Sequence, residues 1–237
     1  MPQFYKTITS ILLNLSAWWL DYVYVIYWQF VGFLKRADPK IYIAAGKQEK
    51  PPIILIPGIY ERWQFMKPIA RALFEAGYSV HVIERLGYNR GDVEAMAQLV
   101  QEYAKQKNLK DCIIVAHSKG GLIGKYLLVH YNKAHYFRGM VALNTPFLGS
   151  TYARFLPLRS LKLFLPASPL LLTLAANEAV NQHIVSLYGI FDPHIPGGSF
   201  LKGAINIQLP VRGHFKVVKE TRVHKAILSG IRQLLTK

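Results

Sequence analysis

The sequence predicts an α/β domain in which a mainly parallel central sheet is covered by helices on both faces. From residue 40 onward, short apolar runs alternate with segments whose apolar residues recur at helical spacing. This alternation is typical of strands joined by crossover helices, the arrangement that produces parallel sheets. The length of 237 residues suits one such domain with a full core and is short for two.

The individual elements follow from the same pattern. Helices are expected where apolar residues recur every third or fourth position, at 63–76, 93–107, 122–131 and 221–235. The first of these stops at Gly77, a residue type that commonly ends helices. Strands are expected at the short apolar runs between them, at 41–44, 52–56, 78–83, 112–117, 137–143, 184–190 and 206–209.

Residues 1–36 are predicted to form a separate hydrophobic helix that associates with a membrane, leaving 37–237 as the α/β domain. Residues 7–34 contain a single charge, Asp21, and as a helix would extend about 42 Å, enough for a bilayer. Asp21 divides this segment into uncharged stretches that are each too short to span, so crossing the membrane and lying in its interface both stay open. A core helix of the domain is the alternative, while the many aromatic residues and the missing cleavage pattern disfavour a signal peptide.

The composition of this N-terminal segment supports an interfacial position. Its small and polar residues form one narrow stripe: Gln3, Thr7, Ser10, Asn14, Ala17 and Asp21. Its aromatic residues suit the belt that Trp and Tyr form at membrane surfaces: Trp18, Trp19, Tyr22, Tyr24, Tyr27 and Trp28. Basic residues follow the segment more than they precede it, which by the positive-inside tendency places the domain in the cytoplasm. An exported or periplasmic domain with a membrane anchor is the alternative.

The net charge of +16, from 29 basic and 13 acidic residues, favours anionic partners. The sequence has no basic run, zinc-finger spacing or RNA-binding aromatic motif, so we expect an anionic membrane surface and no nucleic acid. The single cysteine, Cys112, excludes an intrachain disulfide and is expected to be a buried apolar residue.

Residues 112–121 predict a nucleophilic serine. An apolar strand runs directly into Ala116-His-Ser-Lys-Gly-Gly121, and a helix follows. A strand that turns sharply into a helix holds the serine at its apex in strained backbone geometry and exposes the hydroxyl at the edge of the sheet. Ala116 and Gly120 leave room for this turn, with His117 beside the serine. Ser118 is therefore the candidate nucleophile.

A serine hydroxyl requires a base, and the base requires an acid that fixes its tautomer. His214 follows the last strand and the flexible Gly213, whereas His224 on the final helix is the weaker rival. Asp192 directly follows the strand at 184–190, at the position where α/β sheets place functional side chains. Asn144 also ends a strand, but an amide cannot serve as the acid. The chain order of Ser118, Asp192 and His214 is the order that a serine on such a strand–helix turn uses.

The oxyanion formed in ester cleavage needs preorganised N–H donors. We expect one to be the amide of Lys119 and the other the amide of Ile59, because Gly58 permits a close approach in the loop after the first long strand. The side chain of Lys119 is expected to face solvent or lipid headgroups.

Residues 51–237 resemble the α/β-hydrolase fold, in particular its bacterial lipase and esterase branch, and are also similar to GPI-inositol-deacylase-like enzymes. The resemblance rests on the Asp192 loop, Gly213-His214 and three further motifs: Ile54-Leu-Ile-Pro-Gly58, Ala116-His-Ser-Lys-Gly-Gly121 and Leu143-Asn-Thr-Pro-Phe-Leu-Gly-Ser150. It implies a Ser-His-Asp triad formed by Ser118, His214 and Asp192. Two positions depart from the family pattern: Pro57-Gly58 stands for a common His-Gly, and Ala116 for a glycine.

An insertion at about 151–183, rich in Leu, Phe and Pro, lies where this family carries a cap or lid. An apolar, basic cap over a serine favours acyl-chain substrates at an interface, although these residues also suit ordinary packing around the core. The sequence thus predicts a membrane-associated lipase or carboxylesterase that needs no metal or cofactor. The alternatives are an acyltransferase with the same triad and a non-catalytic scaffold.

Overall fold

A six-stranded sheet forms the centre of the computed structural model, which describes residues 3–34, 38–43, 49–155 and 158–236. The strand order is β2-β1-β3-β4-β5-β6, and all neighbouring pairs are parallel. The prediction of a mainly parallel sheet is therefore confirmed. The strands are β1 (Ile53–Ile56), β2 (Val80–Val82), β3 (Cys112–His117), β4 (Phe137–Leu143), β5 (Ile184–Phe191) and β6 (Ile205–Arg212).

Helices cover both faces of this sheet. The α-helices of the described residues are α1 (Gln3–Leu34), α2 (Lys67–Glu75), α3 (Val93–Gln106), α4 (Lys119–His130), α5 (Pro169–Ala176) and α6 (Thr221–Leu235). Helices α2 and α6 contribute to one hydrophobic core, while α3, α4 and α5 contribute to the other. Alternate residues of β1 enter the two cores, since Ile53 and Leu55 belong to the first and Ile54 and Ile56 to the second. A strand buried on both sides is apolar throughout, which is why the central strands appear in the sequence as continuous apolar runs.

Helix α1 packs against the domain with its polar stripe and with Tyr24, Val25 and Trp28, and exposes most of its other large apolar residues. Ala17 and Asp21 are buried, whereas Trp19 and Ile26 are each 68% exposed. We call the exposed set the outward face of α1: Ile11, Leu12, Leu13, Leu15, Trp18, Trp19, Leu20, Tyr22, Val23, Ile26, Tyr27 and Phe30. The predicted polar stripe thus faces the domain at Ala17 and Asp21. The side chains of Gln3 and Thr7 lie outside the described residues. Among the described residues, no helix combines the length and hydropathy needed to cross a bilayer.

One predicted strand is wrong. Pro39–Tyr42, which overlaps the expected strand at 41–44, forms a 3-10 helix, and Ala44 lies outside the described residues. The reason is local, because the side chain of Asp38 accepts a hydrogen bond from the Lys40 amide (2.9 Å) and proline occupies the first helical position.

The insertion at 151–183 forms a cap of short helices between β4 and β5. It contains 3-10 helices at Thr151–Phe155, Arg159–Phe164 and Ala179–His183, together with α5. Tyr152 and Phe155 are among its exposed apolar residues, and Phe155 is 72% exposed. The cap therefore presents apolar side chains to its surroundings, as the outward face of α1 does.

Candidate active site

Ser118 lies at the sharp turn between β3 and α4. Its backbone angles are φ 51° and ψ −122°, a conformation that costs a non-glycine residue free energy. The turn brings α4 so close to β1 that a Cβ on Gly120 would lie 2.2 Å from the carbonyl oxygen of Ile56. Glycine is therefore required at this position, and Ala116 is fully buried in β3.

The structure brings Ser118, His214 and Asp192 together at the carboxyl ends of β3, β6 and β5. The Nε2 atom of His214 is 3.0 Å from the Oγ of Ser118, and its Nδ1 atom is 2.7 Å from Oδ2 of Asp192. A carboxylate can only accept, so Nδ1–H donates to it and Nε2 is left to accept the proton of the serine hydroxyl. This arrangement can deprotonate Ser118 during attack on a carbonyl carbon.

The charge state of the pair follows from its burial and its partners. Burial by itself lowers the pKa of His214, but the charge and hydrogen bond of Asp192, together with the charges of Asp21 and Glu61, outweigh burial, so the pKa is raised above its ordinary value. Burial raises the pKa of Asp192. The charge and hydrogen bond of His214 and the hydrogen bond from the His194 amide outweigh burial, so the pKa of Asp192 is lowered. Asp192 is thus ionised wherever His214 acts as a base near neutral pH.

Backbone amides fix the position of the Asp192 carboxylate. Its Oδ1 atom accepts hydrogen bonds from the amides of His194 (2.8 Å) and Ile195 (3.1 Å), which leaves Oδ2 to face His214. The ring of His194 lies beside that of His214, with centroids 5.1 Å apart. Burial, followed by the charge of His214, lowers the pKa of His194 to about 4, so His194 is neutral at physiological pH.

Residues 213–216, which include His214, form a segment that is held on both sides of its backbone, and we call it the His loop. Asp21 of α1 accepts hydrogen bonds from its amides. The Nδ2 atom of Asn144 donates to the carbonyl oxygens of Gly213 (3.1 Å) and His214 (3.2 Å), and the Nε2 atom of His117 donates to that of His214 (2.9 Å). The amide of Gly213 donates to the carbonyl oxygen of Phe191 at the end of β5 (2.8 Å). The conformation of the loop is therefore determined by groups from α1, β3 and the ends of β4 and β5.

A buried pair between Glu61 and His117 connects this arrangement to the expected oxyanion loop. The Nδ1 atom of His117 is 3.0 Å from Oε2 of Glu61, and the same oxygen accepts a hydrogen bond from the amide of Gly58 at 2.7 Å. His117 is fully buried and Glu61 nearly so. The pair thus fixes the loop after β1 relative to both Ser118 and the His loop.

Two backbone amides remain available for an oxyanion. The Gly58 amide is already bonded to Glu61, whereas no described residue accepts a hydrogen bond from the amide of Ile59 or of Lys119. Ile59 lines the same pocket as Ser118, and the amide of Lys119 belongs to the first residue of α4, where helical N–H groups are unpaired and the helix dipole is positive. Both predicted donors are thus free to donate close to Ser118.

The expected exposure of the Lys119 side chain is wrong. The residue is fully buried, and its Nζ atom donates to the carbonyl oxygens of Asn89 (2.8 Å) and Gly91 (2.5 Å). Burial lowers its pKa to about 8. The side chain therefore connects the start of α4 to the loop after β2 and does not point to solvent.

An apolar pocket of about 260 Å³ lies next to Ser118 and His214. Its walls come from α1, from the loop after β1 and from the cap, and include Tyr22, Val25, Ile59, Tyr152, Leu161 and Phe164. A larger groove of about 950 Å³ lies alongside, between α1, the cap and the loop after β5. Tyr22, Tyr152, His194 and Ile195 line both spaces, so the two adjoin each other.

Sequence reasoning missed several residues of this site. Asp21 stands out in the sequence only as a charge within an apolar helix, and Glu61 has no motif of its own. The polarity of Asn144 at a strand end was visible, but its role is to hold the His loop. His224 is not part of the site, because its Nε2 atom bonds to the carbonyl oxygen of Val218 at 2.8 Å.

The proteins that this chain resembles in sequence are distant relatives. The alpha/beta hydrolase fold family matches residues 51–169, half of the chain. The AB hydrolase superfamily protein YfhM of Bacillus subtilis (strain 168) is 26% identical over 112 residues. That alignment covers 44% of this chain and 38% of YfhM, so the match spans well under half of the relative.

Solved structures share the fold. The mature form of the Bacillus licheniformis lipase BlEst2 superposes with a TM-score of 0.64 at 16% identity, over 80% of this chain and 95% of that one. A membrane phospholipase A, described as a bacterial virulence factor, has a TM-score of 0.55 at 16% identity and covers 98% of this chain and 99% of its own. The match to that structure thus extends over nearly the whole chain, α1 included. With its parallel sheet, its strand–serine–helix turn and its matching family sequence, this chain belongs to the α/β-hydrolase fold family.

Proposed function

We propose that this protein is a serine hydrolase that cleaves carboxylic esters of lipids at a membrane surface. Ser118 Oγ attacks the acyl carbonyl carbon and its proton passes to Nε2 of His214. The amides of Ile59 and Lys119 stabilise the oxyanion. When the tetrahedral intermediate collapses, the alcohol leaves with the proton from His214. Water then attacks the acyl-enzyme, again with His214 as base, and releases the fatty acid.

The observation that carries the lipid assignment is the position of Tyr22. This residue lies on the outward face of α1, where it is 42% exposed, and it also lines the pocket beside Ser118. The exposed apolar surface is therefore continuous with the wall of the pocket. A lipid acyl chain could pass from a membrane in contact with α1 into the pocket without crossing a polar surface.

The exposed surface supports a membrane as the partner. From Asn14 to Gln29, α1 is bonded to the domain on one side, through contacts with Arg212 and Tyr60. Its other side exposes large aliphatic and aromatic residues over the same length, an arrangement typical of helices that lie in the membrane interface. The cap adds Phe155 and the basic Arg154 beside it. Together with the net charge of +16, this favours an anionic lipid surface.

The similarity to a membrane phospholipase A and to a lipase is consistent with this proposal, although at 16% identity it shows the fold alone. The two adjoining spaces suit a lipid whose scissile acyl chain occupies the pocket and whose remaining part lies in the groove.

The proposal is tested with a series of p-nitrophenyl esters of increasing chain length and with anionic and zwitterionic phospholipid vesicles, with Ser118→Ala as the matched control. We expect release of free fatty acid from vesicles, a preference for longer chains and no activity in the control. A preference for short soluble esters that vesicles do not change would contradict the lipid assignment. Transfer of the acyl group to an added alcohol, without free fatty acid, would instead support an acyltransferase.

A further inference from the structure

We propose that Asp21 is a positioning residue for the catalytic base, so that α1 is an integral part of the hydrolytic site as well as a membrane contact. This inference rests on the function proposed above for Ser118 and His214. Residues of α1 lie outside the segment that matches the family.

The evidence is a carboxylate that binds three consecutive amides. Oδ2 of Asp21 accepts a hydrogen bond from the amide of His214 (2.5 Å), and Oδ1 accepts from the amides of Phe215 (3.1 Å) and Lys216 (2.8 Å). Asp21 has no exposed surface. These amides lie at the start of the 3-10 helix Lys216–Lys219, where N–H groups have no partner within the helix and favour a negative charge.

The His loop is shaped to receive this carboxylate. Gly213 has a φ of 115°, and a Cβ at that position would lie 2.6 Å from Oδ1 of Asp21. Any other residue at 213 would be strained and would push the carboxylate away. Asn144 and His117 hold only carbonyl oxygens of the loop, and Phe191 holds the amide of Gly213, so the amides of His214, Phe215 and Lys216 are positioned by Asp21.

An aspartate in the middle of an apolar helix is costly to bury unless its charge is compensated. The hydrogen bonds of this carboxylate all go to the His loop, and one of them goes to the base itself. A residue that served only to attach α1 could bond anywhere along the domain, as Asn14 does with Arg212. The contact of Asp21 instead determines where the imidazole of His214 stands relative to Ser118.

Asp21 also acts on His214 through its charge. The charged and titratable groups around the His214 ring are Asp192, His194, Glu61, His117 and Asp21. Burial lowers the pKa of His214, and Asp192, then Asp21 and Glu61, raise it. Removing the charge of Asp21 should therefore lower this pKa and move the acid limb of the pH–rate profile to lower pH.

The test is Asp21→Asn in the full chain, assayed with a short soluble ester so that membrane contact does not limit the rate. Asn can still accept from the amides of Phe215 and Lys216, but its NH₂ group would face the N–H of His214, donor against donor. A displacement of about 1 Å can cost on the order of 100-fold in rate. We therefore expect kcat to fall 10- to 100-fold with KM within twofold, and the acid limb to move to lower pH.

The matched control is Tyr24→Phe, which removes a different hydrogen bond between α1 and the domain, from the Tyr24 hydroxyl to the carbonyl oxygen of Phe65 (3.4 Å), and should leave kcat within twofold. Rates are divided by the folded fraction measured by circular dichroism. If Asp21→Asn does not fold, Asp21→Ser, whose hydroxyl can still accept one amide, takes its place and should show the same loss of kcat.

Two outcomes separate this inference from the proposed function. If the wild type and Tyr24→Phe react with a fluorophosphonate probe and Asp21→Asn reacts equally fast with an unchanged pH profile, Asp21 is only a structural contact and the inference is wrong. If the wild type does not react at all, the proposed serine chemistry fails and the positioning role fails with it.

Discussion

Replacing Asp192 with asparagine should separate the role of its charge from the shape of the site. Oδ1 of Asp192 accepts two backbone amides, which only a carbonyl oxygen of the new amide can do. The NH₂ group would then occupy the place of Oδ2, 2.7 Å from Nδ1 of His214. An NH₂ group donates, so Nδ1 would have to accept, and the ring proton would move to Nε2. In that tautomer His214 cannot take the proton of Ser118.

The size of the effect follows from the same geometry. A Ser-His-acid arrangement that keeps its shape but holds the histidine in the wrong tautomer loses about 10⁴-fold in kcat. This corresponds to about 5 kcal/mol of activation free energy at about 1.36 kcal/mol per tenfold change. The loss should appear in kcat, because the pocket that binds the acyl chain keeps its walls.

The assay is steady-state hydrolysis of a p-nitrophenyl ester, together with the rate of fluorophosphonate labelling. The matched control is Asp111→Asn at the opposite end of β3, about 20 Å from the site, where Asp111 pairs with Arg138. We expect the control to remain within twofold of the wild type. A folded Asp192→Asn variant that keeps more than a tenth of wild-type kcat would refute the assignment of Asp192 as the acid.

Further predictions follow from the pH dependence, the packing and the exposed surface. The pKa of His214 is raised above the ordinary histidine value of about 6.5, and only its neutral form is a base. The value of kcat/KM should therefore fall as the pH drops through that raised pKa. A profile that stays flat down to pH 5 would count against His214 as the base. Gly120→Ala should destabilise the fold by about 3 kcal/mol in urea unfolding, because its Cβ would overlap a backbone carbonyl that cannot move aside, whereas Gly197→Ala, with open space around it, should be neutral. Trp19→Glu and Ile26→Glu should each weaken binding to anionic vesicles about 30-fold, because roughly 2 kcal/mol of apolar burial would be lost. Binding is measured by sedimentation with the vesicles, and unchanged sedimentation would show that the outward face of α1 is not the membrane contact.

The part of the site that could be predicted consists of residues at strand ends. Ser118 and Asp192 directly follow strands and His214 follows the last strand after one glycine, and the carboxyl ends of parallel strands meet at one edge of a sheet. Their proximity therefore follows from the topology, and the topology follows from the alternation of strand and helix patterns. The strained turn at Ser118 is predictable for the same reason, since a buried strand continues into a helix without a loop.

The residues that could not be predicted act through partners far away in sequence. Asp21 and His214 are 193 positions apart, and Glu61 and His117 are 56 apart. Nothing in the local pattern of α1 or of the loop after β1 indicates these partners. Lys119 was misjudged because lysines are almost never fully buried; here two backbone carbonyls of the loop after β2 compensate its charge.

The orientation of α1 could not be predicted from the sequence either, for a different reason. The sequence indicates a narrow polar stripe on an apolar helix, which is compatible with a core helix or a membrane helix. The structure adds that the stripe faces the domain, together with Tyr24, Val25 and Trp28, and that most other large apolar residues of α1 are exposed. That orientation, and not the apolar content alone, is what favours an external apolar partner.

The central claim is that Ser118 forms a covalent acyl-enzyme with His214 as its base. The most direct measurement is peptide mass spectrometry of the protein after reaction with a fluorophosphonate. The account predicts one adduct, on the peptide that contains Ser118, that is lost in Ser118→Ala and formed far more slowly in His214→Ala. An adduct on another residue, or undiminished labelling of Ser118→Ala, would contradict it.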